Sequence, residues 1–173
     1  MKKEVFLFLF LVAVATGFAQ DNYPVPPHNP GRLFYIQHAN NHNTFVYDAN
    51  LQSSKSFDSD SPINVYRINY KKGGIKEELS GLQRKMAYGV SITRAAANLF
   101  DFTLAAYPTK KFTLKLSNEG TPHVTVFING KNIVLRKMFL YCNKLGTAVS
   151  SINFYGKDAV TGKEITENFV VKK

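Results

Sequence analysis

One cysteine, Cys142, stands among 173 residues, so no internal disulfide can hold this chain together and its fold must rest on its core. After the first twenty residues, no stretch is long and apolar enough to span a bilayer as a helix, which takes about 20 residues. Helical patterns do not alternate with strand patterns, which excludes a parallel α/β fold. No repeat recurs at a fixed period. Familiar catalytic and binding signatures are also missing. Ser91, in Gly89-Val90-Ser91-Ile92-Thr93, lacks the second glycine of a nucleophile elbow. Asp58-Ser59-Asp60 lacks the glycine and distal carboxylate of a calcium loop. Thr161-Gly162-Lys163 has no phosphate-cradling pattern.

What is present is an ordinary globular balance of 45% apolar and 20% charged residues, which argues against disorder and against coiled coil. The length suits one domain large enough to bury a core. Lys and Arg outnumber Asp and Glu by 22 to 12, a formal charge of +10.

The first nineteen residues read as an address. Lys2 and Lys3 precede eleven apolar residues, Val5 to Ala15, and small residues at Gly17 and Ala19 frame a cut before Gln20. Residues 1–19 are therefore expected to be a signal peptide, with export to the periplasm or beyond. The mature chain would keep 154 residues and a charge of +9. Residues 20–31, with four prolines, read as an extended lead-in acting as a spacer. Residues 32–173 form the single β-rich domain.

Period-two alternation dominates that domain. Arg32 to His38 and Thr44 to Ala49 read as strands around an Ala39–Asn43 turn, and Gln52 to Ser61 as a loop. Ile63 to Tyr70 follows, with Tyr66 and Ile68 on one face and Ile63 and Val65 on the other. Phe112, Leu114 and Leu116 alternate with polar neighbours, as do Phe100, Phe102 and Leu104. Val124, Val126 and Ile128 share a third such face. Asn129-Gly130 signals a type I′ hairpin, and Ile133 to Cys142 returns from it. Val149 to Tyr155 and Glu164 to Val171 make the last pair. Ser80-Gly81-Leu82-Gln83 fits a capping box opening a two-turn helix that ends at a left-handed Gly89, with Leu82 and Met86 sharing a face. The expectation is an all-β fold, mainly antiparallel: a sandwich or closed barrel of eight or nine strands with one short helix.

Four segments carry a resemblance to a known family. They are Arg32-Leu33-Phe34-Tyr35-Ile36, the run Asn41 to Asn50, Pro62-Ile63-Asn64-Val65-Tyr66, and the run Gln83 to Val90. Together they resemble the uncharacterised bacterial and fungal family numbered forty-eight thirty-three among domains of unknown function. The resemblance runs from about Arg32 onward, and Gln83 to Gly89 is its most specific part. It implies a domain type without a reaction, and carries no catalytic residue over.

Candidate chemistry is sparse. His38 and His42 flank the first hairpin, and with Asp48 they could hold zinc, although two histidines without a fixed third ligand specify little. His123 has no nucleophile beside it. Cys142, between apolar neighbours, reads as buried and inert. The cations cluster as Lys110-Lys111, Lys115 and Arg136-Lys137, with further pairs at Lys71-Lys72 and Lys172-Lys173. On a sheet face with aromatic rings they could bind an anionic ligand, an anionic lipid headgroup or an acidic glycan. The alternative is solubility and protection of strand edges. Export argues against nucleic acid as a natural partner. The leading expectation is an exported, non-catalytic module binding an anionic or glycan-like ligand. A hydrolase or metal-dependent enzyme with a site at the first hairpin, and a structural or assembly component of the cell envelope, remain as alternatives.

Overall fold

The computed structural model describes residues 23–53 and 56–171. The expected signal peptide and the Lys172-Lys173 pair lie outside the described residues. The strands are β1 (Arg32–His38), β2 (Asn41–Ala49), β3 (Leu51–Ser53), β4 (Ser56–Phe57), β5 (Ile63–Asn69), β6 (Ile75–Glu78), β7 (Val90–Ala96), β8 (Leu99–Leu104), β9 (Tyr107–Leu116), β10 (Pro122–Ile128), β11 (Lys131–Cys142), β12 (Val149–Asp158) and β13 (Glu164–Val170). A single helical turn, α1 (Gly81–Gln83), runs directly into a π-helical turn, Arg84–Tyr88.

All but β3 and β4 belong to one sheet. Its main path runs β6-β5-β2-β1-β11-β10-β9-β8-β7, and β12 joins β11 from the side, followed by β13. This path curls into a half-barrel, so the β class and the short helix stand, while the sheet is neither a closed barrel nor two separate layers. It is also mixed, because β1 lies parallel to β11 and every other pairing is antiparallel. Alternation reports which face a residue takes but not which strand it meets or in which direction, so the parallel pair had no local signature.

The branch point explains the shape. β12 pairs one edge of β11 from Ile133 to Cys142. The other edge is shared: β10 takes Lys131 to Val134 and β1 takes Lys137 to Leu140. A register shift between Leu135 and Lys137 marks the changeover, and a bulge there bends the strand. Gly156 pairs with Leu135 at this bend. A Cβ on it would collide with the Val134 carbonyl, so only glycine fits so close an approach.

Curling brings the β1–β2 arm opposite the β8–β9 arm, and the core lies between them. Phe34 on β1 stacks on Tyr47 of β2 at 4.3 Å and meets Phe112 at 6.2 Å and Phe102 at 6.4 Å across the gap. The expected inward faces hold: Phe100, Phe102, Leu104, Phe112, Leu114, Val124, Val126 and Ile128 are all buried. β5 buries both of its faces, with Ile63 and Val65 in the main core and Tyr66 and Ile68 in a second cluster with Val46. Asn129 and Gly130 take φ of 49° and 81°, as a type I′ turn requires.

Several local expectations change. β2 begins at Asn41, so the first turn shrinks to Ala39-Asn40. The small β3–β4 hairpin, which starts at Leu51, takes up part of the expected Gln52–Ser61 loop. Gly89 is not left-handed: its φ is −64°. It is glycine because its N–H reaches the Arg84 carbonyl at 3.1 Å, closing the π turn where a Cβ would collide. The proline lead-in is not a free spacer either. The Pro24 carbonyl accepts from the Thr44 hydroxyl at 2.7 Å, and Pro26 is buried. The Tyr23 ring packs edge-on against His42 and Phe139, so this strap lies over the outer face of the β1–β2 region.

Candidate functional site

At one end of the half-barrel the sheet does not close on itself, and a hollow of about 380 Å³ remains. Its walls come from elements distant in sequence. Ile36 and His38 belong to β1, Met138, Leu140 and Cys142 to β11, and Val149 and Ile152 to β12. The β8–β9 corner and the π turn complete it, contributing Leu104 and Met86 among others. The volume falls within the range of small-molecule pockets, about 300–1,000 Å³.

The strand period puts these residues there. On β11, Met138, Leu140 and Cys142 recur at every second position and face the inside with His38 of β1. The parallel register sets Ile36 beside Met138 and His38 beside Leu140. The π turn is fixed from below, since the Tyr47 hydroxyl donates to the Tyr88 carbonyl at 2.8 Å and the Tyr88 ring stacks on Phe45 at 3.5 Å. From above, Ala105 and Ala106 N–H groups reach the Gly89 and Ala87 carbonyls.

Three polar side chains meet in this apolar hollow. The Tyr88 hydroxyl lies 3.1 Å from His38 Nε2, and Cys142 Sγ lies 3.5 Å from His38 Nδ1. Burial alone pulls the His38 imidazole down to about 4, so the ring is neutral at neutral pH. Burial pushes the Tyr88 phenol up, reinforced by Cys142, and pushes the Cys142 thiol up as well. All three are therefore neutral together. A thiol kept protonated is a poor nucleophile, so the trio offers hydrogen bonds within an apolar wall in place of an activated thiolate.

The family to which the segments pointed now follows from the chain itself. The model for the family described as Domain of unknown function (DUF4833) matches residues 34–168. The chain belongs to the DUF4833 family. No curated protein and no solved structure matches it. The matched span of the DUF4833 domain contains His38, Tyr88, Met138 and Cys142, so the hollow is built within it.

The sequence-derived site residues are dispersed in the DUF4833 domain. His38 faces the inside, whereas His42 is exposed on the outer side, edge-on to Tyr23 and Tyr70. Asp48 lies at the far end of β2, where it accepts from Arg32, Asn29 and Tyr66. The three do not converge, and among the described residues no three His, Cys, Asp or Glu side chains gather to hold an ion. His123 turns its Nδ1 to the Thr121 carbonyl, and burial, more than the nearby Lys115, lowers its pKa.

The cations likewise have separate neighbours and no shared cradle. Lys110 reaches the Phe127 carbonyl at 3.3 Å, Lys111 pairs with Asp101 at 3.2 Å, and Lys115 stands opposite His123. Arg136 pairs with Glu164. Lys110 also lies 5.5 Å from the Phe169 ring centre, and Lys137 sits among three rings, 5.4 Å from Tyr155, 5.6 Å from Phe139 and 6.0 Å from Tyr35. Sequence reasoning weighed His38 and Cys142 separately and missed Tyr88 and Met138. The spacing of Met138 and Cys142, four apart on one strand face, was a readable signal. Their meeting with Tyr88 across the half-barrel had none. No helix among the described residues is long and apolar enough to cross a membrane.

Proposed function

We propose that this DUF4833 domain is an exported, non-catalytic binding module whose hollow takes a small, mainly apolar molecule with one hydrogen-bonding head. The hollow itself carries this reading: apolar walls of Ile36, Leu104, Met138, Leu140 and Ile152 surround one polar cluster, His38, Tyr88 and Cys142. Large apolar side chains around it support an entry for such a ligand. Leu82 and Met86 on the helical turns are 73% and 62% exposed, and Leu145, beside the lining residue Gly146, is 84% exposed. Export rests on the basic start, the eleven-residue apolar run and the small residues before Gln20.

The test is uptake of an environment-sensitive apolar fluorophore and its displacement by a series of fatty acids and sterols. Saturable binding at one site per chain is expected, reduced at least tenfold by Val149→Phe, which fills the hollow. Absence of saturable binding, or binding indifferent to Val149→Phe, would refute it.

A second reading has its own observation. On the outer face, Lys137 sits among Tyr35, Phe139 and Tyr155, a cation beside rings that an acidic glycan could stack on. Binding of sulfated or uronic-acid oligosaccharides that weakens with salt and with Tyr155→Ala would support it.

A further inference from the structure

The chain has three methionines, and two of them, Met86 and Met138, line the same hollow as its only cysteine. His38 faces the hollow with them. Among the described residues no Asp or Glu side chain lines it. A wall combining thiol, thioether and imidazole without carboxylate is soft, and soft sulfur ligands select monovalent copper over calcium, magnesium or manganese.

The geometry of the two strongest donors suits one shared ion. Cys142 Sγ and His38 Nδ1 are 3.5 Å apart. An ion bound about 2.3 Å from the sulfur and about 2.0 Å from the nitrogen would see them at an angle of roughly 109°, the tetrahedral value. The other ring nitrogen is already engaged. In the tautomer whose Nε2–H donates to the Tyr88 hydroxyl 3.1 Å away, Nδ1 is left bare on the side of Cys142. An outer partner of this kind is how metal-bound histidines are held in one tautomer and orientation.

We propose that the hollow binds one copper(I) ion through His38 Nδ1 and Cys142 Sγ, with thioether sulfur from Met138 and Met86 in the same wall to complete the coordination. Cys142 binds as the thiolate, and its proton leaves to solvent as the copper–sulfur bond forms. The copper stays monovalent, so no oxidant or reductant takes part. This site occupies the polar end of the hollow and does not depend on the apolar-ligand reading.

The full chain is titrated anaerobically with copper(I) against a chromogenic chelator, following the thiolate-to-copper absorption in the ultraviolet. One copper per chain is expected. Affinity should fall at least a hundredfold in Cys142→Ser and about tenfold in Met138→Leu, with zinc and magnesium bound far more weakly than copper. Wild-type affinity in Cys142→Ser, or zinc held as tightly as copper, would overturn the proposal. His38→Gln should also abolish tight binding. Should that variant fail to fold, X-ray absorption at the copper edge of the wild type must show a mixed nitrogen and sulfur shell, and a shell of one element alone refutes the site. Fluorophore uptake is measured separately on copper-free wild-type protein, so a chain that takes up the fluorophore but no copper refutes the copper site alone. Loss of either activity can thus be told from loss of the other.

Discussion

Phe34 shows what a single residue contributes and what a sequence can reveal of it. It is fully buried and its ring meets Tyr47, Phe102 and Phe112. Phe34→Ala is expected to cost about 3–5 kcal/mol, because the arms cannot collapse onto a cavity bounded by three other rings. Tyr47→Phe keeps that packing and removes only the bond to the Tyr88 carbonyl, at about 1–2 kcal/mol. Urea unfolding midpoints of the two variants check both the order and the size. Alternation made Phe112 and Phe102 legible as inward residues, yet nothing in the chain tied either of them to Phe34. A different single-residue effect appears at Glu77. Lys72, Asn69 and Arg67 bond its carboxylate and hold it at about 2, below its ordinary 4.5. Its folded pKa is depressed, so its contribution is present above pH 4.5 and fades as the pH falls from there toward 2. Melting temperatures of wild type and Glu77→Gln should differ at neutral pH and converge in acid.

At the scale of elements, the helical segment is where local chemistry was most readable. Both bonds of the capping box are made: the Ser80 hydroxyl accepts from Gln83 N–H at 3.2 Å, and Ser80 N–H donates to Gln83 Oε1 at 3.0 Å. What followed was not readable, because the turn widens to the π form. Leu82 and Met86, expected to share a helix face, are both largely exposed, and Met86 lines the hollow. A π turn often marks a functional position in a helix, and this one delivers Tyr88 to His38. Ser80→Ala is expected to cost about 1 kcal/mol. Gly89→Ala should cost more, since its methyl would collide with the carbonyl that closes the π turn. Hydrogen exchange at Ala105 and Ala106, whose amides bond this segment, should accelerate in both variants, and more in the second. Equal acceleration would mean that the cap, and not the π turn, holds Tyr88 in place.

At the scale of the whole molecule, the half-barrel depends on one strand serving three partners. β11 carries β12 along one edge and divides the other between β10 and β1. A strand from Ile133 to Cys142 was readable in the chain, two residues short of its true start at Lys131. That its two halves serve different neighbours was not, since the partners come from residues 35–38 and 125–128. The bend also decides where the hollow forms. Beyond it β11 sits beside β1, which brings Met138 and Cys142 into line with Ile36 and His38. Gly156 permits that bend by letting the Val134 backbone approach where any side chain would intrude. Gly156→Ala must either push β12 away from β11 or straighten the bulge, and each loosens the junction on which both arms hang. The expected result is a global loss of stability larger than that of Ser80→Ala, seen as a lower urea midpoint. Weakened copper binding should accompany it in the molecules that remain folded, because the His38–Cys142 spacing depends on the β1–β11 register. A variant as stable as wild type, with unchanged exchange along β11, would show that the branch does not need glycine.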